Sequence, residues 1–246
     1  MSGNIGASLG APIAAAAGGG VRTDRGACAA SDLRGCLSSP SVEGGAAATD
    51  ALRKNRRLLL HVCCGPCAVM PLRRLLDEGY AVTAWFMNPN IHPLTEYLRR
   101  REAAGECAAQ LGVPIVYADA TWDVTAWLRA VAGRDAPPER CAWCCASRLE
   151  AAFAAAAALG CAWVSSSLLY SRYQPHAAIK TAGERLGAAG GPGFVYRDFR
   201  EDWQEGIDRS KEMGLYRQPY CGCIFGARDQ GLDLEKIRHD AEAFLA

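Results

Sequence analysis

The chain has 246 residues, half of them hydrophobic, with 27 Lys and Arg against 26 Asp and Glu, a formal charge of +1, and 12 cysteines. A chain of this length buries a sizeable core without covalent staples, so its cysteines are free for chemistry, and its balanced charge singles out neither a nucleic acid nor a membrane. An extracellular disulfide framework is the wrong class, because Met1 to Ala17 has neither the basic start nor the unbroken apolar run of a secretory signal or a membrane span, and the cysteine pairs lie too close together to join distant loops. A cytoplasmic location is expected.

From Met1 to about Asp50 the chain is Gly, Ala and Ser with almost no aromatic residue, a composition that cannot bury enough surface to offset chain entropy. We expect residues 1–50 to be a disordered extension, with Cys28 and Cys36 as bystander thiols, and residues 51–246 to form a single catalytic α/β domain with a helical C-terminal part. Leu58 to Val62 is a short apolar run ending in Cys63-Cys64-Gly65-Pro66-Cys67. Ala68, Leu72, Leu75 and Leu76 follow at helical spacing to a stop at Gly79. Ala81 to Phe86 reads as a second strand, Tyr97 to Leu111 as a second helix and Val113 to Tyr117 as a third strand. The βαβαβ order predicts a parallel sheet with helices on both faces and a working site at the carboxyl ends of its strands. After a helix near Val124 to Val131, Pro137 and Pro138 lead into Cys141-Ala142-Trp143-Cys144-Cys145 at the start of a long Ala-rich helix ending at Gly160, where the positive end of the dipole favours thiolate. Cys161 to Ser165 then reads as a strand, His176 to Leu186 as a helix and Phe194 to Phe199 as a strand or extended segment. The remainder is helical, near Asp202 to Met213 and again from Leu234, except for the turn Pro219-Tyr220-Cys221-Gly222-Cys223.

Three cysteine clusters therefore fall at element junctions. Cys63 and Cys64 with the Cys-x-x-Cys of Cys141 and Cys144 make a four-thiolate set that suits a structural zinc or a [4Fe–4S] cluster alike. The spare thiols Cys67 and Cys145 favour the iron–sulfur alternative, since a closed zinc site needs none. Cys221 and Cys223, one residue apart, would form a strained and reducible disulfide, which suits a two-electron store better than a structural bridge; two metal ligands or two inert thiols is the other reading. Cys107 and Cys161 look like small core hydrophobes. His61 stands beside the first thiol pair, where its ring could orient a ligand or be satisfied in the core. Two basic runs, Arg53, Lys54, Arg56 and Arg57, then Arg99 to Arg101, could meet phosphate or form solvated faces.

Together these motifs resemble the cobalamin-independent epoxyqueuosine reductases, the QueH family. The resemblance rests on His61 to Cys67, Phe86 to Pro93 with Glu96-Tyr97, Cys141 and Cys144 with Arg148-Leu149-Glu150, Ser167 to Gln174, Tyr196 to Arg200, and Leu215 to Cys223, and so spans about Leu58 to Arg228. It implies an oxidoreductase of tRNA processing that completes queuosine biosynthesis by reducing the epoxide of epoxyqueuosine at the wobble position of tRNA. The implied fold is an α/β sheet similar to the adenine nucleotide α-hydrolase (Rossmann-like) type. By the same resemblance Cys63, Cys64, Cys141 and Cys144 match the ligands of a [4Fe–4S] cluster, Cys221 and Cys223 match a redox-active pair, and Cys67 matches a position that can hold an additional iron ion. The partners are then a tRNA bearing epoxyqueuosine and an external electron donor. Cys145 departs from the family pattern, which has an aromatic residue there. Tyr170, Arg172, Tyr173 and Asp198 are candidates for proton delivery or substrate contact. Two other functions compete with this one. An iron–sulfur tRNA thiolation enzyme would need a Gly-rich phosphate loop where this chain has Cys-Cys-Gly-Pro-Cys, and a zinc-stabilised RNA-binding module would leave Cys221 and Cys223 without work.

Overall fold

A computed structural model describes residues 55–134 and 136–245; the extension expected over residues 1–50, with Cys28 and Cys36, lies outside them. Leu58 to Val62 is buried at every position and forms the centre of the fold, strand β1 (Arg57–Val62), as an unbroken apolar run does when both faces of a parallel sheet are covered. It pairs in parallel with β2 (Ala81–Phe86) on one side and with β4 (Trp163–Ser166) on the other. β3 (Ile115–Tyr117) and β5 (Gly193–Phe194) complete a five-stranded parallel sheet of order β3-β2-β1-β4-β5.

Alternate residues of β1 enter different cores. Leu58, Leu60 and Val62 pack with helices α1 (Gly65–Asp77) and α2 (Leu94–Gln110), whereas Leu59 joins Trp85 and the Ala152, Phe153 and Ala156 face of α4 (Glu139–Ala158). Helix α1 starts one turn from the strand because Pro66, lacking an N–H, sits where no donor is needed, and it ends on Gly79 in the left-handed region at φ 82°. Gly65 allows α1 to approach α2 closely, since a Cβ there would lie 2.7 Å from the carbonyl carbon of Ala103. Helices α3 (Val124–Ala130), α5 (His176–Ala188), α6 (Trp203–Glu212), α7 (Ile224–Asp229) and α8 (Leu234–Leu245) complete the described elements. No helix among the described residues is long and apolar enough to cross a membrane.

The parallel α/β architecture matches expectation, and two strands differ in extent. The third strand begins at Ile115 rather than Val113, because the Val113 N–H still closes the preceding helix on the Ala108 carbonyl (2.9 Å) and Pro114 has no N–H. The segment expected as a strand from Phe194 to Phe199 stays in the ladder only to Val195, whose N–H bonds the Val164 carbonyl at 2.8 Å, because β4 gives way to a 3₁₀ turn over Ser167–Leu169. Helix α7 has no conventional cap in its sequence; the Cys223 sulfur takes that place, accepting from the Gly226 N–H at 3.2 Å.

Candidate metal and redox centre

In the strand order, β1 lies between β2 and β4, so connections leave its carboxyl end toward opposite sides and open a crevice there. Cys63 and Cys64 follow β1 directly into that crevice. Ser167, just beyond β4, closes it from the other side: its hydroxyl accepts from the Cys63 N–H (3.0 Å) and lies 3.3 Å from the Cys63 sulfur. Cys67 reaches the same place from the first turn of α1. The sulfurs of Cys63, Cys64 and Cys67 lie within 4.8 Å of one another, and this is the one group of three or more such potential ligands found among the described residues. Gln218 donates its amide to the Cys64 sulfur at 2.8 Å. Hydrogen bonds from the Cys64 and Cys67 thiols, then from Ser167, hold Cys63 well below the usual thiol range. Burial and the Cys63 thiolate hold Cys64 and Cys67 above it. Three soft donors thus stand together, which suits the trio to a thiophilic metal.

The other two cysteine clusters meet around a second space. A small cavity of about 20 Å³, room for little more than a water molecule, is lined by Cys141, Cys144 and Cys145 from α4 and by Cys221 and Cys223 from the turn before α7, together with Asn90, Trp127, Arg140, Arg148 and Gln174. No disulfide joins the described cysteines. Cys221 is lowered to about 6, chiefly by the Cys223 thiol donating to it, with the Cys223 N–H, Arg100 and Arg148 adding to the effect. Cys223 is correspondingly raised. Burial pushes Cys144 up, and Cys145 up to about 12.

Arg148 links the two spaces. It is 3% exposed, donates to the Cys144 carbonyl (3.2 Å) and to Asn88 Oδ1 (3.4 Å), and lies 3.7 Å from the Cys145 sulfur. Burial opposes its charge, yet Cys144, Cys145, Cys63 and Cys221 more than offset this, so its affinity for the proton rises. Neither this arginine nor Gln218 stood out as a working residue in the sequence. The available signal was spacing: Arg148 is one helical turn beyond Cys144 and so on the same face of α4.

Several expected residues stand elsewhere. Cys107 (0% exposed) and Cys161 (5%) are core residues, as expected. His61 turns its ring to the scaffold, with Nδ1 2.9 Å from the Ser166 hydroxyl and Nε2 3.1 Å from the Met87 carbonyl, and burial lowers it to about 4. Several arginines of the two basic runs make contacts within the fold. Arg56 and Arg57 cap the carbonyls of Glu78 and Leu159 near the amino end of β1, away from the thiols. Arg100 is buried on Glu96, and Arg101 pairs with Asp119; Arg53 and Lys54 lie outside the described residues. Tyr170 is buried and donates to the Trp203 carbonyl at 2.9 Å, and Asp198 is closed on Arg200 at 2.5 Å, whereas Tyr173 is 79% exposed.

A parallel α/β sheet with thiols gathered at the carboxyl end of its central strand defines a class of metal- or thiol-dependent proteins in which the cysteines carry the chemistry. The family model of Epoxyqueuosine reductase QueH matches residues 58–229, and the chain belongs to this family. Among curated relatives named Epoxyqueuosine reductase QueH, the one from Streptococcus pyogenes serotype M1 is 31% identical over 198 residues, covering 77% of each chain. Another, from Dehalococcoides mccartyi, is 32% identical over 169 residues, 69% of this chain and 91% of the relative. A third, from Haemophilus influenzae, is 35% identical over 184 residues, 71% of this chain and 73% of the relative. The matched range contains every cysteine of the two spaces.

Proposed function

We propose that this chain is an epoxyqueuosine reductase, converting epoxyqueuosine at the wobble position of tRNA into queuosine. The observation that supports this most is the meeting of a metal-suited thiol trio and a poised dithiol around one buried arginine, in a member of this family. In this reading Cys63, Cys64, Cys141 and Cys144 hold a [4Fe–4S] cluster, Cys67 holds an additional iron ion, and Cys221 and Cys223 are the redox pair. Bound there, the cluster would supply one-electron transfer and the iron ion Lewis acidity.

Reducing an epoxide to an alkene consumes two electrons and two protons and releases the oxygen as water. Oxidation of the pair, one thiolate and one thiol, to a disulfide forms one S–S bond and yields two electrons and one proton; with the second proton taken from water, one Cys221/Cys223 oxidation balances one turnover. Cys221 is the thiolate of the pair at neutral pH and Cys223 the member that keeps its proton. An external reductant must then restore the dithiol. The cavity beside the pair is too small to hold a base as it stands, so a base turned out of its stack would reach the thiols only as the lining side chains give way.

The test is nucleoside analysis by mass spectrometry of tRNA containing epoxyqueuosine after incubation with anaerobically reconstituted protein and a strong reductant. Queuosine should appear in amounts exceeding the enzyme. A protein that carries its iron–sulfur absorption and leaves the epoxide intact would overturn the reading. Zinc as the only bound metal would instead favour the RNA-binding module.

A further inference from the structure

Gln174 lines the thiol cavity, its Oε1 3.6 Å from the Cys145 sulfur, and the residue before it, Tyr173, is the most exposed large hydrophobic side chain among the described residues, at 79%. Consecutive Cα atoms are about 3.8 Å apart, so an open aromatic ring stands one residue from the cavity wall. It is held firmly. The Tyr173 N–H donates to the Ser171 hydroxyl at 3.3 Å. Its ring meets Trp203 edge-on with centroids 5.7 Å apart, and Trp203 is in turn stacked on the buried Tyr170 at 5.3 Å. Arg172 lays its guanidinium 5.4 Å from the centre of the Trp203 ring and has no carboxylate within ion-pairing distance among the described residues.

We propose that Tyr173, braced by Trp203 and flanked by Arg172, is the platform on which an unpaired base of the anticodon loop stacks while the neighbouring wobble base is presented to the thiols past Gln174. The proposal rests on the reading of the chain as a tRNA-modifying reductase and names the surface that seats its substrate. A single rigid aromatic ring beside an unpaired guanidinium offers a π-face to any base and a positive charge to its phosphate, the two contacts that single-stranded RNA uses irrespective of sequence. The open cleft beside Arg172 is lined also by Asp198, Arg200 and Glu201. Because Asp198 neutralises Arg200 and Glu201 adds a carboxylate, that cleft is mixed in charge and leaves Arg172 to meet a single phosphate, with stacking carrying most of the contact.

The experiment measures binding of a fluorescently labelled anticodon stem-loop RNA, and of a blunt duplex RNA of equal length, to the full metal-loaded protein over a range of salt. Tyr173→Ala should weaken loop binding about 5- to 100-fold and leave duplex binding within about twofold, with Tyr173→Phe restoring most of the loss. Arg172→Gln should reduce the slope of log affinity against log salt by about 0.7, the value for one single-strand phosphate contact. Iron–sulfur absorption equal to the wild type shows that the variants are folded and loaded. Wild type that converts epoxyqueuosine in tRNA while Tyr173→Ala binds the loop as well as wild type does would overturn the platform and leave the function standing. Wild type that neither binds the loop nor converts the nucleoside would overturn both, and an equal loss of loop and duplex binding in Tyr173→Ala would overturn stacking in favour of a general structural effect.

Discussion

Cys221 and Cys223 differ in character although one residue separates them, because each sees the other from the opposite side of a hydrogen bond. Cys221 accepts from the Cys223 thiol and N–H and faces Arg100 and Arg148, whereas the Cys223 thiol donates and is buried. Cys221 should therefore titrate near 6, well below an ordinary thiol. Mass-spectrometric mapping of iodoacetamide labelling against pH reads this directly: the Cys221 midpoint should lie near 6 in the protein and rise in Cys223→Ala, which removes the donor. Labelling that begins only above about pH 8 in the wild type would contradict the geometry. The roles proposed for the cysteines are separable in the same residues. Cys221→Ser should keep the iron–sulfur absorption and lose multiple-turnover reduction, whereas Cys144→Ser should bleach the absorption. The reverse pattern would exchange the two assignments.

At the scale of elements, the Cys221–Cys223 turn is positioned by a buried ion pair on α2. Arg100, 2% exposed, pairs with Glu96 at 2.6 Å and donates to the Tyr220 (2.9 Å) and Cys221 (3.1 Å) carbonyls, while Tyr216 donates to Glu96 at 2.6 Å. A residue suspected of meeting phosphate is instead the clamp that holds the turn against the sheet. Arg100→Met would leave Glu96 buried without its partner and should destabilise the protein by about 3–5 kcal/mol in urea unfolding, with the double variant Glu96→Gln, Arg100→Met recovering a large part of that loss. A loss under about 1 kcal/mol in the single variant would show that the pair contributes little net energy.

For the whole molecule, stability should depend on pH through two buried histidines. Burial lowers His61 and His92 each to about 4, from an ordinary value of 6.5. Between these values the unfolded chain binds protons that the folded chain refuses. Stability is therefore complete above about pH 6.5 and falls as the pH drops toward 4, by at most on the order of 3 kcal/mol per histidine. Urea midpoints measured from pH 7 downward should decline over this window, less steeply in His92→Asn; a flat profile would mean that the rings take up protons in the fold.

Local patterns were sufficient for the repeating βαβ order, the parallel sheet, the placement of the first thiols at a strand end and the core positions of Cys107 and Cys161, because each follows from hydrophobic periodicity and short-range turn chemistry. The cysteine motifs likewise marked where chemistry resides and which family the chain resembles. Only the tertiary structure showed which thiols are neighbours: the sulfurs of Cys63, Cys64 and Cys67 lie together, and Cys221 and Cys223 line a cavity with the cysteines of α4, so the proposed cluster on Cys63, Cys64, Cys141 and Cys144 would have to draw on both groups. It also separated arginines that look alike in sequence. Arg100 is a buried clamp, Arg101 a surface pair and Arg148 the charge beside the thiols. The physical reason is range: periodicity and turn residues act between near neighbours, whereas burial and many of the partners of a site come from segments 100 or more positions away, as Ser167 is from Cys63 and Gln218 from Cys64.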